Sequence, residues 1–474
     1  MSEPLTPDLC VIGGGSAGLS VAAGAAAFGV SVVLVERDKM GGDCLNYGCV
    51  PSKALLASAK RAYQMRDAAK FGLRPVEPEI DHKAVAGHVQ SVIAAIAPND
   101  SVERFNGLGV DVIKAEARFA DRSTVIAGNQ RIKARRFVIA TGSSPTIPPI
   151  PGLDRIPYFT NETIFSNTHR FTHLIIIGGG PVGMEMAQAH RRLGSAVTVI
   201  EAERAFGRDD PELVQVVLKR LRDEGIRVLE YARVERVERF GVNIQVIFAT
   251  QGKTYAIEGS DLLLAVGRTP ALASLNLDAA DIRYNAKGIL VNKALKTSNR
   301  RVYAIGDVTG LVNLTHAGNY HASVVVRNAL FRLPVKANHA TVPWVTFTDP
   351  ELAHVGLTEE EARKTYGKLQ ILRWPYSEND RAQAERETDG FLKVIATPRG
   401  RILGAGLVGA HAGELIQMWS LAMQKGIPLR AMASFTSPYP TLAEINKRAA
   451  MSYFITLPQS PAIRRIVGWL ARLG

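Results

Sequence analysis

Leu9-Cys10-Val11-Ile12-Gly13-Gly14-Gly15-Ser16-Ala17-Gly18 decides how this chain folds. A short apolar strand runs into a glycine turn. An alanine-rich helix follows to about Phe28, and a second strand from Ser31 to Val35 ends at Glu36. Glycines at this spacing let backbone approach a pyrophosphate at a helix N-terminus, and the acid 23 residues past Gly13 takes a ribose hydroxyl. The glycines alone would be a weak signal; strand, helix and acid together make it specific. Cys10 lies inside the strand and reads as a core residue.

The pattern then returns 165 residues later. Leu174-Ile175-Ile176-Ile177 leads into Gly178-Gly179-Gly180-Pro181-Val182-Gly183, a helix through Leu193, and Val197 to Ile200 ending at Glu201. Two complete copies imply two dinucleotides bound by one chain. Between them, Leu108 to Phe119 and Ser123 to Val138 alternate like short antiparallel strands. Pro145-Thr146-Ile147-Pro148-Pro149-Ile150-Pro151-Gly152 is a proline-rich crossing that marks a domain boundary. Arg301 to Asp307 is a strand ending in a Gly306-Asp307 turn suited to a hydroxylated chain. From about Thr341 strands and helices alternate without glycine fingerprints, as in a module for association.

Two of only three cysteines lie in Gly41-Gly42-Asp43-Cys44-Leu45-Asn46-Tyr47-Gly48-Cys49-Val50-Pro51-Ser52-Lys53. No second Cys/His group answers them, against a structural zinc site, and a secreted disulfide scaffold would hold far more cysteine. A redox dithiol remains. On an undistorted helix their Cα atoms would be about 8–9 Å apart, beyond disulfide reach. The segment is therefore distorted between the sulfurs, and Gly48 is the residue that permits it. Pro51 to Met65 reads as a helix carrying Lys53, and Val85 to Ile96 as another.

The 474 residues suffice for two to four domains with full cores. The short acidic N-terminus is no signal peptide, and no run of about 18 apolar residues spans a membrane. A cytoplasmic address follows, where a cycling disulfide is allowed. The net charge of +13 is scattered rather than massed, which argues against nucleic-acid binding and suits anionic substrates and cofactor phosphates.

Two fingerprints, Cys-x4-Cys followed by Val-Pro-Ser-Lys, and the Ala304-Ile305-Gly306-Asp307 turn together resemble the class I pyridine nucleotide–disulfide oxidoreductases. The resemblance runs from about Leu9 to about Ala450. It implies an α/β fold with two Rossmann-like dinucleotide-binding domains and a C-terminal α+β dimerisation domain. The expected divisions are an FAD-binding domain over 1–148, an NAD(P)-binding domain over 149–270, a return to the FAD or central domain over 271–340, and the dimerisation domain over 341–474. Residues of both subunits would complete each active site of the homodimer.

By position, Gly13, Gly15, Gly18 and Glu36 would hold the FAD pyrophosphate and ribose, with Ser16, Ala17, Arg37 and Gly42 beside them. Ala117 would meet the adenine end, Thr141-Gly142 the pyrophosphate, Gly306 and Asp307 the ribitol, and His316-Ala317 the flavin ring. Lys53 would sit near the flavin, paired with Glu185. Gly178, Gly180, Gly183 and Glu201 match the nicotinamide nucleotide site, walled by Val234 and the run Ala265-Val266-Gly267-Arg268. Glu201 favours a free ribose hydroxyl and hence NADH over NADPH, although Arg204 and Arg208 follow closely. Pro181 stands where many relatives carry a tyrosine that covers the flavin.

The resemblance implies that electrons pass from the nicotinamide through the flavin to a Cys44–Cys49 disulfide, with Cys49 against the flavin and Cys44 facing the substrate. Asp43 replaces a usual threonine and should raise the thiol pKa unless a cation offsets it. Ser437-Pro438-Tyr439-Pro440-Thr441-Leu442-Ala443-Glu444 carries the main departure. Dihydrolipoamide dehydrogenases and glutathione reductases have here a histidine acid–base oriented by a glutamate; this chain has Tyr439 at the histidine's position and Glu444 at the glutamate's. Tyrosine accepts a proton poorly at neutral pH, and losing a general acid–base costs about 10²–10⁴-fold.

Mercuric reductases share the Pro-Tyr and the glutamate, and a soft ion such as Hg(II), held transiently by Cys44 and Cys49, needs no proton delivered to a leaving sulfur. No permanent metal is expected. A mercuric-reductase-like enzyme is the leading expectation. A dihydrolipoamide dehydrogenase-like enzyme acting on a lipoyl or other disulfide carrier comes next, then a flavoprotein redox sensor at a membrane surface. Ile463, Ile466, Val467, Leu470 and Leu473 lie along one helical face with Arg464, Arg465 and Arg472 around it. Packing on the protein's own body is the favoured reading of this tail, peripheral contact with an anionic membrane the other.

Overall fold

The apolar strand Leu9–Ile12 is buried at every position because it is central in its sheet. In a computed structural model describing residues 3–455 and 460–473, five parallel strands run in the order Val302–Ala304, Arg136–Ile139, Leu9–Ile12, Val32–Glu36, Val110–Lys114. Strands covered on both faces are nearly continuous in apolar residues. The helices Ser16–Ala26 and Thr315–Leu330 pack together along small side chains, and Ser16 Oγ donates to Asn319 Oδ1 at 2.7 Å.

The second fingerprint builds a like sheet, with His173–Ile177 parallel to both Ala196–Ile200 and Asp261–Leu264. Three antiparallel strands, Arg233–Phe240, Asn243–Thr250 and Lys253–Gly259, adjoin it. The expectation of antiparallel strands from Leu108 to Val138 holds only in the middle. Ala117–Asp121, Thr124–Ala127 and Gln130–Ile132 do form an antiparallel meander. Val110–Lys114 and Arg136–Ile139 instead join the parallel sheet. Alternation reports that one face is more buried than the other; it carries no information on strand direction.

These elements form one compact unit, built from residues up to Arg66, Val76–Ala205 and Leu229–His339. The other unit comprises Asp67–Pro75, Phe206–Val228 and the residues from Ala340 onward. Its five-stranded antiparallel sheet runs Trp344–Thr346, Glu351–Gly356, Ile402–Gly409, Phe391–Ala396, Gln370–Pro375, with Trp419 and Tyr376 in its core. The helix Pro211–Asp223 lies in this unit and is fixed by charge. Lys393, 4% exposed, has its ammonium 2.8 Å from Asp210 and from Glu212 and 2.7 Å from Glu359. Arg373 adds a bond of 2.7 Å to Glu212. A buried ammonium is tolerated when its donors are all matched by acceptors.

The tail helix Pro461–Leu470 corrects an expectation. None of its residues is buried and only Ile463 of its apolar face is half-buried, so most of that face is left open rather than packed on the body of this chain. Pro458, at the start of that tail, lies outside the described residues. Among the described residues no helix is long and apolar enough to cross a membrane.

Candidate active site

The helices Gly42–Asn46 and Cys49–Arg66 are interrupted at Tyr47 and Gly48, and the break brings two free thiols into hydrogen-bond contact. Gly48 serves by its missing side chain rather than by an unusual φ. A Cβ there would stand 2.8 Å from an Asp43 carboxylate oxygen and 3.1 Å from the Asp43 carbonyl.

The Cys44 thiol donates to Cys49, so the pair holds one proton on Cys44. That bond, burial and the nearby Cys49 charge push the Cys44 pKa far up. The same bond lowers Cys49 to about 6 against the opposing effect of burial, helped by Thr315 and the Lys53 charge. Thr315 Oγ1 lies 3.3 Å from Cys49 Sγ. Cys49 also opens an 18-residue helix, where free N–H groups favour a thiolate. Lys53, one turn on, donates to Glu185 Oε2 at 2.8 Å from a carboxylate only 6% exposed.

Asp43 raises both thiols, and its cation is present. Arg268 Nη2 lies 3.0 Å from Asp43 Oδ1, and Asn161 Nδ2 donates to the same oxygen at 3.0 Å. The guanidinium also donates to Ser143, at 2.8 Å to its hydroxyl and 2.7 Å to its carbonyl. Ser143 Oγ in turn donates to Asp307 at 2.7 Å, and burial raises the Asp307 pKa. The sequence set Arg268 among the nucleotide-site walls; the structure aims it at Asp43. Asn161, Ser143 and Thr315 were missed. A polar residue in a loop carries no sequence signal until the fold brings it to a partner.

The glycines make two matching cradles. A Cβ on Gly13 would meet the Ala140 carbonyl at 2.4 Å, and one on Gly178 the Ala265 carbonyl at 2.4 Å. Gly18 and Gly183 press their helices onto the turns: a Cβ would reach the Gly13 and Gly178 carbonyls at 1.9 and 2.0 Å. Gly42 packs on Gly15 so closely that a Cβ would be 2.7 Å from its Cα, whereas a Cβ on Gly180 meets nothing within 4 Å. Glu36 accepts from Gly14 N at 2.5 Å and Glu201 from Gly179 N at 2.6 Å, so each acid stands at its turn. These side-chain-free helix N-termini with an acid alongside fit the phosphates and ribose of a dinucleotide.

The remaining candidates are distributed around these cradles. Arg37 pairs with Glu116 at 3.2 Å, Ala117 is a buried strand start, and Thr141 Oγ1 donates to Ala271 O at 2.9 Å beside Gly142. Ala17 packs against Gly318. Gly306 N donates to His321 Nδ1 at 3.2 Å, and His316 and Ala317 lie in the first turn of Thr315–Leu330. Val234 is half-buried at a β-bulge, and Gly267 has φ of 119°. Tyr439 and Glu444 lie in the other unit. The Tyr439 hydroxyl, on a side chain 69% exposed, donates to Asp380 at 2.8 Å, and Glu444 pairs with Arg448 at 2.8 Å. The glutamate that would orient a histidine in the relatives is thus engaged by Arg448, and the tyrosine by Asp380.

A proton-sharing dithiol, a lysine–carboxylate pair one turn away and two dinucleotide cradles define an FAD-dependent disulfide oxidoreductase that uses a nicotinamide nucleotide. The chain belongs to the pyridine nucleotide-disulphide oxidoreductase family, whose model matches residues 7–322, with the family's dimerisation domain over 342–450. It is 35% identical over 449 residues to a mercuric reductase of Lysinibacillus sphaericus, covering 94% of this chain and 82% of that protein. Identity to a dihydrolipoyl dehydrogenase of Bacillus subtilis (strain 168) is 31% over 452 residues, covering 94% and 98%. Among solved structures, the Cu(II) complex of the HOCl-induced flavoprotein disulfide reductase RclA from Escherichia coli matches with a TM-score of 0.83 at 28% identity, over 93% of this chain and 98% of that one. LpdA from Mycobacterium tuberculosis matches with a TM-score of 0.87 at 26% identity, over 94% and 99%.

Proposed function

We propose that this protein is a cytoplasmic homodimer that uses NADH to reduce a soft metal ion taken up by Cys44 and Cys49, in the manner of a mercuric reductase. The observation that carries the reading is the partnering of Tyr439 with Asp380 and of Glu444 with Arg448 in the motif where disulfide-exchanging relatives carry an acid–base histidine. A thiol-exchange reaction needs a proton for the leaving sulfur; a cation bound by thiolates does not.

The bound FAD supplies two-electron transfer between the nicotinamide and the Cys44–Cys49 pair. Gly13, Gly15, Gly18 and Glu36 would hold its phosphates and ribose, and Lys53, held by Glu185, would set a fixed positive charge one turn from Cys49. Cys49 is ready as a thiolate at neutral pH, while Cys44 gives up its proton when the cation binds. Arg268 stands against Asp43 and offsets the aspartate's upward pull on the two thiols. Glu201 stands where a 2′-phosphate would be repelled, which supports the preference for NADH.

The test compares Hg(II)-dependent NADH oxidation with lipoamide-dependent turnover on one preparation, with NADPH run alongside. Metal-dependent oxidation with little lipoamide turnover is the expected result. Robust lipoamide turnover without any metal response overturns the reading.

A further inference from the structure

The helix Pro461–Leu470 lies beyond the family's dimerisation domain, which ends at residue 450. At about 100° per residue, Trp469, Ile466, Leu470, Ile463 and Val467 occupy one arc of about 160°. Arg464 and Arg465 occupy the opposite arc, and Arg472 continues it. Most of the apolar side is open: Ile463 is half-buried, but Ile466, Val467, Trp469 and Leu470 are each 51–61% exposed and Leu473 66%. After Glu444 the sequence contains no acidic residue, but Lys447, Arg448, Arg464, Arg465 and Arg472.

We propose that this segment is an interfacial anchor that lays Ile463, Ile466, Val467, Trp469 and Leu470 into the headgroup region of an anionic membrane, with Arg464, Arg465 and Arg472 against the lipid phosphates. The proposal is independent of which acceptor the dithiol serves. Charge selects the occupant. A segment with three cations and no acid is drawn to a negative lipid surface, and a tryptophan beside aliphatic residues suits the boundary between headgroups and chains. A second copy of the same tail would bring like charges together. At about fivefold per cation, Arg465 and Arg472 alone give a preference of about 25-fold for anionic over neutral bilayers.

The test uses the full-length flavoprotein and a version ending at Ile455, both checked for flavin absorbance and sedimentation coefficient. Each is spun with vesicles of phosphatidylcholine alone or of phosphatidylcholine mixed with the anionic lipid phosphatidylglycerol. Full-length protein is expected to pellet with the anionic vesicles, to be released at high salt, and to stay in solution with neutral ones. The shortened protein should stay in solution throughout. Ile466→Glu should abolish pelleting, and Arg464→Glu with Arg465→Glu should weaken it at least tenfold. Full-length protein that ignores both vesicle types overturns the proposal. So does loss of dimer on shortening, which would seat the apolar face on a second copy.

Discussion

Arg268 Nη2 stands 3.0 Å from Asp43 Oδ1, two residues linked only by the fold, and so places a cation against the acid that adjoins Cys44. The arginine offsets a charge that by itself raises both thiols. Arg268→Gln should raise the pH at which the dithiol reacts and slow thiol chemistry about tenfold at pH 7, the worth of one charge-assisted hydrogen bond. Asp43→Asn in the same background should restore most of the rate. A double variant as slow as Arg268→Gln alone would show that the guanidinium acts elsewhere.

Cys49, lowered to about 6, should be alkylated by iodoacetamide in the reduced enzyme with a midpoint near pH 6, with Cys44 reacting only at far higher pH. Lys53 contributes to that lowering through its charge, so Lys53→Met should move the midpoint upward. Mass spectrometry of the modified peptide over a pH series reads both sites.

The last glycine of each fingerprint, Gly18 or Gly183, presses a helix onto a turn, and the two can be separated by their spectra. Gly183→Ala places a Cβ against the Gly178 carbonyl. The purified variant should keep its flavin colour but lose reduction by NADH by at least 10²-fold, since its nucleotide cradle alone is forced open. Gly18→Ala should instead emerge without flavin.

Tyr439→His restores an acid–base with a pKa near neutrality in place of a phenol that donates to Asp380. Lipoamide-dependent turnover should rise about 10²–10⁴-fold and metal-dependent NADH oxidation should change little. Equal effects on both activities would count against a division of labour by proton demand.

His190, His321 and His354 are 6%, 0% and 1% exposed, and burial lowers each from 6.5 to about 4. All three are neutral in the folded state. The stability this confers is whole above pH 6.5 and is lost as pH falls toward 4, when the unfolded chain takes up protons the folded one refuses. Each contributes about 3 kcal/mol at most across that window. Calorimetric Tm should therefore fall steadily from pH 6.5 downward; a flat Tm to pH 5 would contradict it.

What the sequence made legible follows from how local each signal is. The two cradles were readable because strand, glycine turn, helix and acid are written within one short stretch. The break between Cys44 and Cys49 was readable from helix geometry alone. The Arg268–Asp43 contact spans 225 positions and leaves no periodic trace, and Thr315 beside Cys49 spans 266. Strand direction between Val110 and Ile139 was illegible for another reason. Parallel and antiparallel neighbours impose the same alternation on a half-buried strand.

Lys393 draws two of its three carboxylates, Asp210 and Glu212, from a stretch that follows the second fingerprint in sequence, far ahead of Ala340. The C-terminal module is therefore not a cassette. Transplanted from Ala340 onward, it would carry Lys393 into its core with Glu359 as sole counter-ion, so recombination between relatives at that seam should yield chimeras that misfold unless residues 206–228 travel with it.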